Sequence, residues 1–162
     1  MREKYTYDTR KEAEVSMNST ISIGMQDFGK LIRSGVFYVD KTSLIKEWWE
    51  NQDDVTLVTR PRRFGKTLTL SMVDYFFSNQ HVDSGKLFEK LDIWKEEKYQ
   101  DLQGTFPVIF VSFAGIKAEN YATARDGIIQ VLLDLYAKYY FLLQSDVLNE
   151  QEREYFAYVR PD

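Results

Sequence analysis

The chain has 162 residues, 44% hydrophobic and 28% charged, a size and balance that suit one soluble domain with a core of its own. Its 21 basic and 25 acidic side chains give a net charge of −4, which argues against a protein that coats nucleic acid and leaves room for a local basic patch only. Cysteine is absent, so disulfides, zinc–thiolate sites and cysteine nucleophiles are excluded.

Residues 1–20 are polar and without periodicity, and read as a flexible N-terminal arm with no secretory leader. Met25, Phe28, Leu31 and Ile32 have helical spacing, and Ser34-Gly35 suits a helix end. Val36–Val39 is a short β-prone run. Asp40 is placed to cap a following helix whose apolar positions are Leu44, Ile45, Trp48 and Trp49. After a polar turn at 51–54, Val55-Thr56-Leu57-Val58-Thr59 is rich in β-branched residues and predicts a buried strand. A loop at 60–64 leads into a helix predicted from Gly65 to about Phe77, with a broad apolar face.

Residues 78–105 are mixed, with helical pieces expected around Leu87-Phe88 and Leu91–Trp94. Val108-Ile109-Phe110-Val111-Ser112-Phe113 is nearly continuous apolar sequence, the pattern of a strand covered on both faces. A long helix is predicted from about Tyr121 to Leu143, and a last one near Asn149, with Glu152 placed for a capping box. Strands alternating with helices imply an α/β fold, a three-layer α/β/α arrangement with a mostly parallel sheet. Two central strands are few for a doubly wound sheet, so the expectation is an incomplete P-loop NTPase-like domain over 21–162. No run approaches the ~20 apolar residues of a membrane span. The expected location is cytoplasmic, with no membrane partner.

The chemistry concentrates in Arg60-Pro61-Arg62-Arg63-Phe64-Gly65-Lys66-Thr67. Gly65-Lys66-Thr67 fills the last three places of the phosphate-binding template Gly-x-x-x-x-Gly-Lys-[Ser/Thr], between a predicted strand and a predicted helix. Gly65 lets backbone approach phosphate oxygens and adopt angles other residues avoid. The amides of Arg63, Phe64, Gly65, Lys66, Thr67 and Leu68 are expected to form an anion cradle at the helix N-terminus. Lys66 is expected to bridge the β- and γ-phosphates of ATP, and the Thr67 hydroxyl to be a ligand for Mg²⁺. Arg60 stands where the template has its first Gly, so the octapeptide is degenerate.

Two other readings compete. The four cations Arg60, Arg62, Arg63 and Lys66 could contact nucleic-acid phosphates with no nucleotide involved, or the loop could be vestigial in an interaction module. Against a purely basic turn, a Lys that opens a helix opposes the macrodipole unless an anion sits there.

The segments Ile23–Phe28, Tyr38–Thr42, Thr59–Leu68 and Pro107–Phe113 resemble the N-terminal part of the bacterial and archaeal AAA-ATPase-like family. Arg60 in place of Gly is usual in that family. The resemblance implies a degenerate P-loop ATPase region joined to a restriction-endonuclease-like C-terminal domain, through which nucleic acid could be a partner. It also implies a later apolar strand ending in Asp-Glu, which holds Mg²⁺ and orients water. Here Val108–Phe113 ends in Ser-Phe and no such strand follows. The expectation is therefore nucleotide binding with little hydrolysis, from a chain lacking the Walker B half. Uncovered sheet edges and helix faces would then favour self-association.

The remaining candidates have plainer uses. Asp40 reads as an N-cap or ion-pair partner more readily than as a nucleotide contact, and His81, the only histidine, as a surface residue in a polar turn. Glu96-Glu97 and Glu150, Glu152 and Glu154 read as solvated helix faces. Tyr136, Tyr139, Tyr140 and Phe141 read as a buried helix face more readily than as a base-stacking platform.

Overall fold

A computed structural model describes residues 24–59, 61 and 64–159. The predicted arm at 1–20 lies outside the described residues. The chain divides after Val108 into two compact units.

The first unit begins with α1 (Phe28–Arg33). Asp27 caps it, its carboxylate accepting the Lys30 amide at 2.6 Å. Next come α2 (Ser43–Asn51) and α3 (Lys66–Phe77), then 3₁₀ turns over Asn79–Leu87 and Asp92–Lys95, and α4 (Glu97–Leu102). Phe28, Ile45, Met72, Phe76, Phe88, Ile93 and Tyr99 are fully buried and form the centre of one cluster. Rings dominate it. Phe28 stacks on Phe88 with centroids 5.0 Å apart, and Phe76 meets Phe88 edge-on at 5.2 Å. The abundance of aromatic residues is thus spent here on packing.

Polar ties hold the elements in register. The buried Phe28 amide donates to Ser71 Oγ at 3.0 Å, fixing α1 on α3. The end of α3 is pinned by Gly104 N–H to Phe76 O at 2.8 Å and by Phe106 N–H to Phe77 O at 2.9 Å. Only glycine fits at 104, because its φ is +72° and a Cβ there would sit 2.7 Å from Val82 Cα. On the outside, Lys98 pairs with Glu50 at 2.8 Å and Lys46 pairs with Glu96, linking α2 to the segment at α4. Hydrogen bonds from these lysines hold the Glu50 and Glu96 carboxyls below their ordinary range. Glu96, expected on a solvated face, is therefore ion-paired.

The second unit holds α5 (Tyr121–Lys138), a 3₁₀ turn over Tyr140–Gln144 and α6 (Glu150–Tyr158). Both helices open with complete capping boxes, Asn120 with Thr123 and Asn149 with Glu152. The predicted helix 121–143 is thus interrupted after Lys138. Arg153 gathers the turn before α6, donating to the carbonyls of Leu143, Ser145 and Leu148.

The three-layer α/β/α fold with a mostly parallel sheet is not what forms. Among the described residues there is no strand ladder; the pairing present is one isolated parallel bridge, Ser78 with Phe106. Val36–Val39, Val55–Thr59 and Val108–Phe113 have strand composition but form no ladder among the described residues. Val55, Leu57 and Ile109 are 89%, 82% and 67% exposed. The physical reason is that β-propensity measures fit to a pleated, half-buried surface, and a strand exists only when a neighbour takes its hydrogen bonds. Among the described residues no helix is long and apolar enough to cross a membrane.

Candidate functional site

The loop ahead of α3 starts as a turn, with the Phe64 amide 3.4 Å from the Pro61 carbonyl. Gly65 follows in the left-handed region at φ +75°, the conformation that a side chain disfavours. It turns the chain straight into α3, whose first helical bond runs from the Thr69 amide to the Gly65 carbonyl at 2.8 Å. The amides of Thr67 and Leu68 precede that bond and belong to the turn for which a helix has no internal acceptors. Such a helix start favours an anion, through both its amides and its dipole.

Lys66 folds back across the loop, its ammonium donating to the Pro61 carbonyl at 3.1 Å. It lines an open depression of about 490 Å³ together with Val58, Thr59 and Pro61. Thr67 is half-buried in the first turn of α3. Leu68 packs its side chain against the aromatic core, so only its backbone is available to the loop. Phe64 is 60% exposed. Arg63, with Arg60 and Arg62, lies outside the described residues.

Beside this loop lies the segment before α2, whose approach to Gly65 was not visible in the sequence. Asp40 Oδ1 accepts both the amide and the hydroxyl of Thr42, each at 2.8 Å, while Oδ2 accepts the Asp92 amide at 2.7 Å. Thr42 is fully buried, and its Oγ1 accepts the Ile93 amide at 3.2 Å. Asp40 is thus a brace and a tether just ahead of α2, and the N-cap expected of it falls instead to Thr42, which makes no side-chain cap bond. Burial, reinforced by the Asp40 charge, pushes the nearby Tyr38 phenol up to about 12. Tyr38 therefore stays neutral and donates to Met72 Sδ at 3.2 Å. Between the two fixed residues stands Lys41, whose ammonium lies 3.2 Å from where a Cβ on Gly65 would be.

His81, expected as a surface residue, is half-buried. It stacks on Tyr75 with centroids 4.1 Å apart and lies 3.4 Å from Asp74 Oδ2. Its carbonyl accepts from the buried Gln103 side chain at 2.8 Å. Of the aromatic cluster in the second unit, Tyr139 is buried while Tyr140 and Phe141 are exposed.

A family model described as Predicted AAA-ATPase matches residues 22–159. The chain belongs to that family. The AAA-ATPase match takes in the loop at 60–68, the Asp40–Thr42 segment and most of each unit. The chain is also similar to an uncharacterized protein in the vnfD 5′ region of Azotobacter chroococcum mcd 1, at 34% identity over 134 residues. That match covers 81% of this chain and 21% of the relative, so the chain spans about a fifth of the relative's length. No solved structure matches the chain.

Proposed function

We propose that this AAA-ATPase-like chain binds ATP at the loop 63–68, with Lys66 on the phosphates and Thr67 as one ligand of the accompanying Mg²⁺. The observation that carries the reading is the Lys66 ammonium lying over the loop, 3.1 Å from the Pro61 carbonyl, beside a left-handed Gly65 at the head of a helix. That posture keeps the charge at the open depression lined by Val58, Thr59 and Pro61, where a phosphate chain would sit.

The donor set fits a polyphosphate. It consists of backbone amides and an ammonium, and Thr67 offers one neutral oxygen. Mg²⁺ usually keeps several waters and takes its remaining ligands from one or two protein groups and substrate phosphates, so a single hydroxyl fits a phosphate-bound ion. Among the described residues no group of three or more His, Cys, Asp or Glu side chains is placed to hold a metal alone. Binding with little turnover from this chain alone is the matching expectation, since efficient phosphoryl transfer also needs a group that orients the attacking water.

Calorimetry with Mg-ATP tests the reading. Lys66→Ala is expected to weaken binding tenfold or more, roughly 1.5–3 kcal/mol for a charge-assisted hydrogen bond to phosphate. Unchanged affinity with an intact circular dichroism spectrum removes Lys66 from the role. Binding of nucleic acid that falls steeply with salt, in a chain that ignores ATP, replaces the nucleotide reading with the basic-loop one.

A further inference from the structure

Asp40 and Thr42 are held from two sides, by each other and by the amides of Asp92 and Ile93. The residue between them is a half-buried lysine that no carboxylate pairs with among the described residues. Its ammonium rests against Gly65, at the head of α3. An ammonium at the positive end of a helix is electrostatically unfavourable by itself. The same arrangement becomes favourable once a multiply charged anion occupies the loop.

We propose that Lys41 is a second cationic ligand of the phosphate chain, reaching the loop from outside the Gly-Lys-Thr motif. This rests on the nucleotide reading of the loop and adds to it. The ligand class is one with at least two linked phosphates, because two separate ammonium groups lie against one loop, Lys66 at Pro61 and Lys41 at Gly65. Asp40 and Thr42 are positioning residues; their hydrogen bonds fix the backbone from which Lys41 projects. A side chain at Gly65 would strain the backbone at φ +75° and would bring its Cβ to 3.2 Å from the Lys41 ammonium, shifting that flexible chain end slightly.

The test titrates the full chain with Mg-ATP and, separately, with inorganic tripolyphosphate. Lys41→Met is expected to weaken both by about tenfold, equivalent to about 1.4 kcal/mol. Lys41→Arg is expected to recover most of that loss. In the wild-type chain, tripolyphosphate is expected to protect Lys41 from an amine-acylating reagent, read by peptide mass; this needs no variant to fold. Lys41→Met within twofold of wild type, while Lys66→Ala loses binding, overturns the role of Lys41 and leaves the loop reading standing. Equal labelling of Lys41 with and without bound tripolyphosphate overturns it too. A wild-type chain that binds neither probe sinks the loop reading itself, and Lys41 with it.

Discussion

Helix α3 and helix α5 have similar sequence character and opposite fates. α3 has 12 residues and buries Thr69, Ser71, Met72, Phe76 and Phe77; α5 has 18 and buries none. The contrast extends to the units they belong to. Up to Val108 the chain closes an aromatic cluster around α3, whereas from Ile109 onward Tyr139 is the one buried hydrophobic residue among those described. Length and propensity make a helix possible, but burial against several converging elements makes it stable. α1, α2 and the turns at 79–95 converge on α3. The second unit relies on local devices: two capping boxes, the Arg153 clamp and the contact of Tyr136 with Phe156 at 4.8 Å. The candidate loop is mounted on the well-packed helix, so its amides start from a fixed base.

The largest test of that contrast is core truncation. Phe76→Ala removes a fully buried ring that meets both Phe77 and Phe88 edge-on. It is expected to cost about 3–5 kcal/mol in urea denaturation. Leu132→Ala in α5, at a position 42% exposed, is expected to cost under about 1 kcal/mol. Trp48, Trp49 and Trp94 all lie in the first unit, so tryptophan fluorescence follows Phe76→Ala, and far-UV circular dichroism, which reads the helices of both units, follows Leu132→Ala. Comparable losses at the two positions would mean that α5 is as deeply packed as α3, and the contrast would fall.

A smaller effect separates polar ties from ring packing within the first unit. Thr42→Val keeps shape but strands the buried Ile93 amide and removes one donor to Asp40. The expected cost is about 1–3 kcal/mol, the penalty of an unsatisfied buried group. Thr42→Ser, which keeps the hydroxyl, is expected to lose clearly less. A Val variant as stable as wild type would mean that the segment carrying Lys41 is held by packing, with its hydrogen bonds incidental.

How far the sequence exposed all this depended on the range of the interaction. Helices were legible because their signals are local: Asn149 with Glu152 predicted a capping box that forms, and the apolar spacing of Leu44, Ile45, Trp48 and Trp49 marked α2. Gly65 was legible because a left-handed turn before a helix calls for glycine. The strands were misread because Val55–Thr59 and Val108–Phe113 have β-branched and apolar composition, which says nothing about whether a partner strand is at hand. Lys41 was not singled out. Its approach to Gly65 is a tertiary fact, and the sequence hint, a lysine between two residues that both take cap-like bonds, is too common to be specific. The Thr42–Ile93 tie was hidden for the same reason.

The smallest effect tests whether the second unit is held locally, as its caps suggest. In α6 the Asn149 carbonyl oxygen Oδ1 accepts the Glu152 amide at 2.8 Å, and Glu152 Oε2 accepts the Asn149 amide at 2.8 Å. α6 has 9 residues, shorter than an isolated helix can sustain in water, so each cap weighs heavily on it. Asn149→Ala removes the side-chain half of the box and leaves the Glu152 carboxylate on the backbone amide of residue 149, at a cost of about 1 kcal/mol. About 1 kcal/mol is roughly fivefold in an opening equilibrium, so amide exchange at 150–153 is expected to quicken by about that factor. The urea midpoint read by tryptophan is expected not to move, because no tryptophan lies beyond Val108. If the tryptophan midpoint fell by the same 1 kcal/mol or so, α6 would share one cooperative transition with the aromatic core. The two units would then be one folding unit, with the stability of the loop-bearing helix dependent on a cap in the other half of the chain.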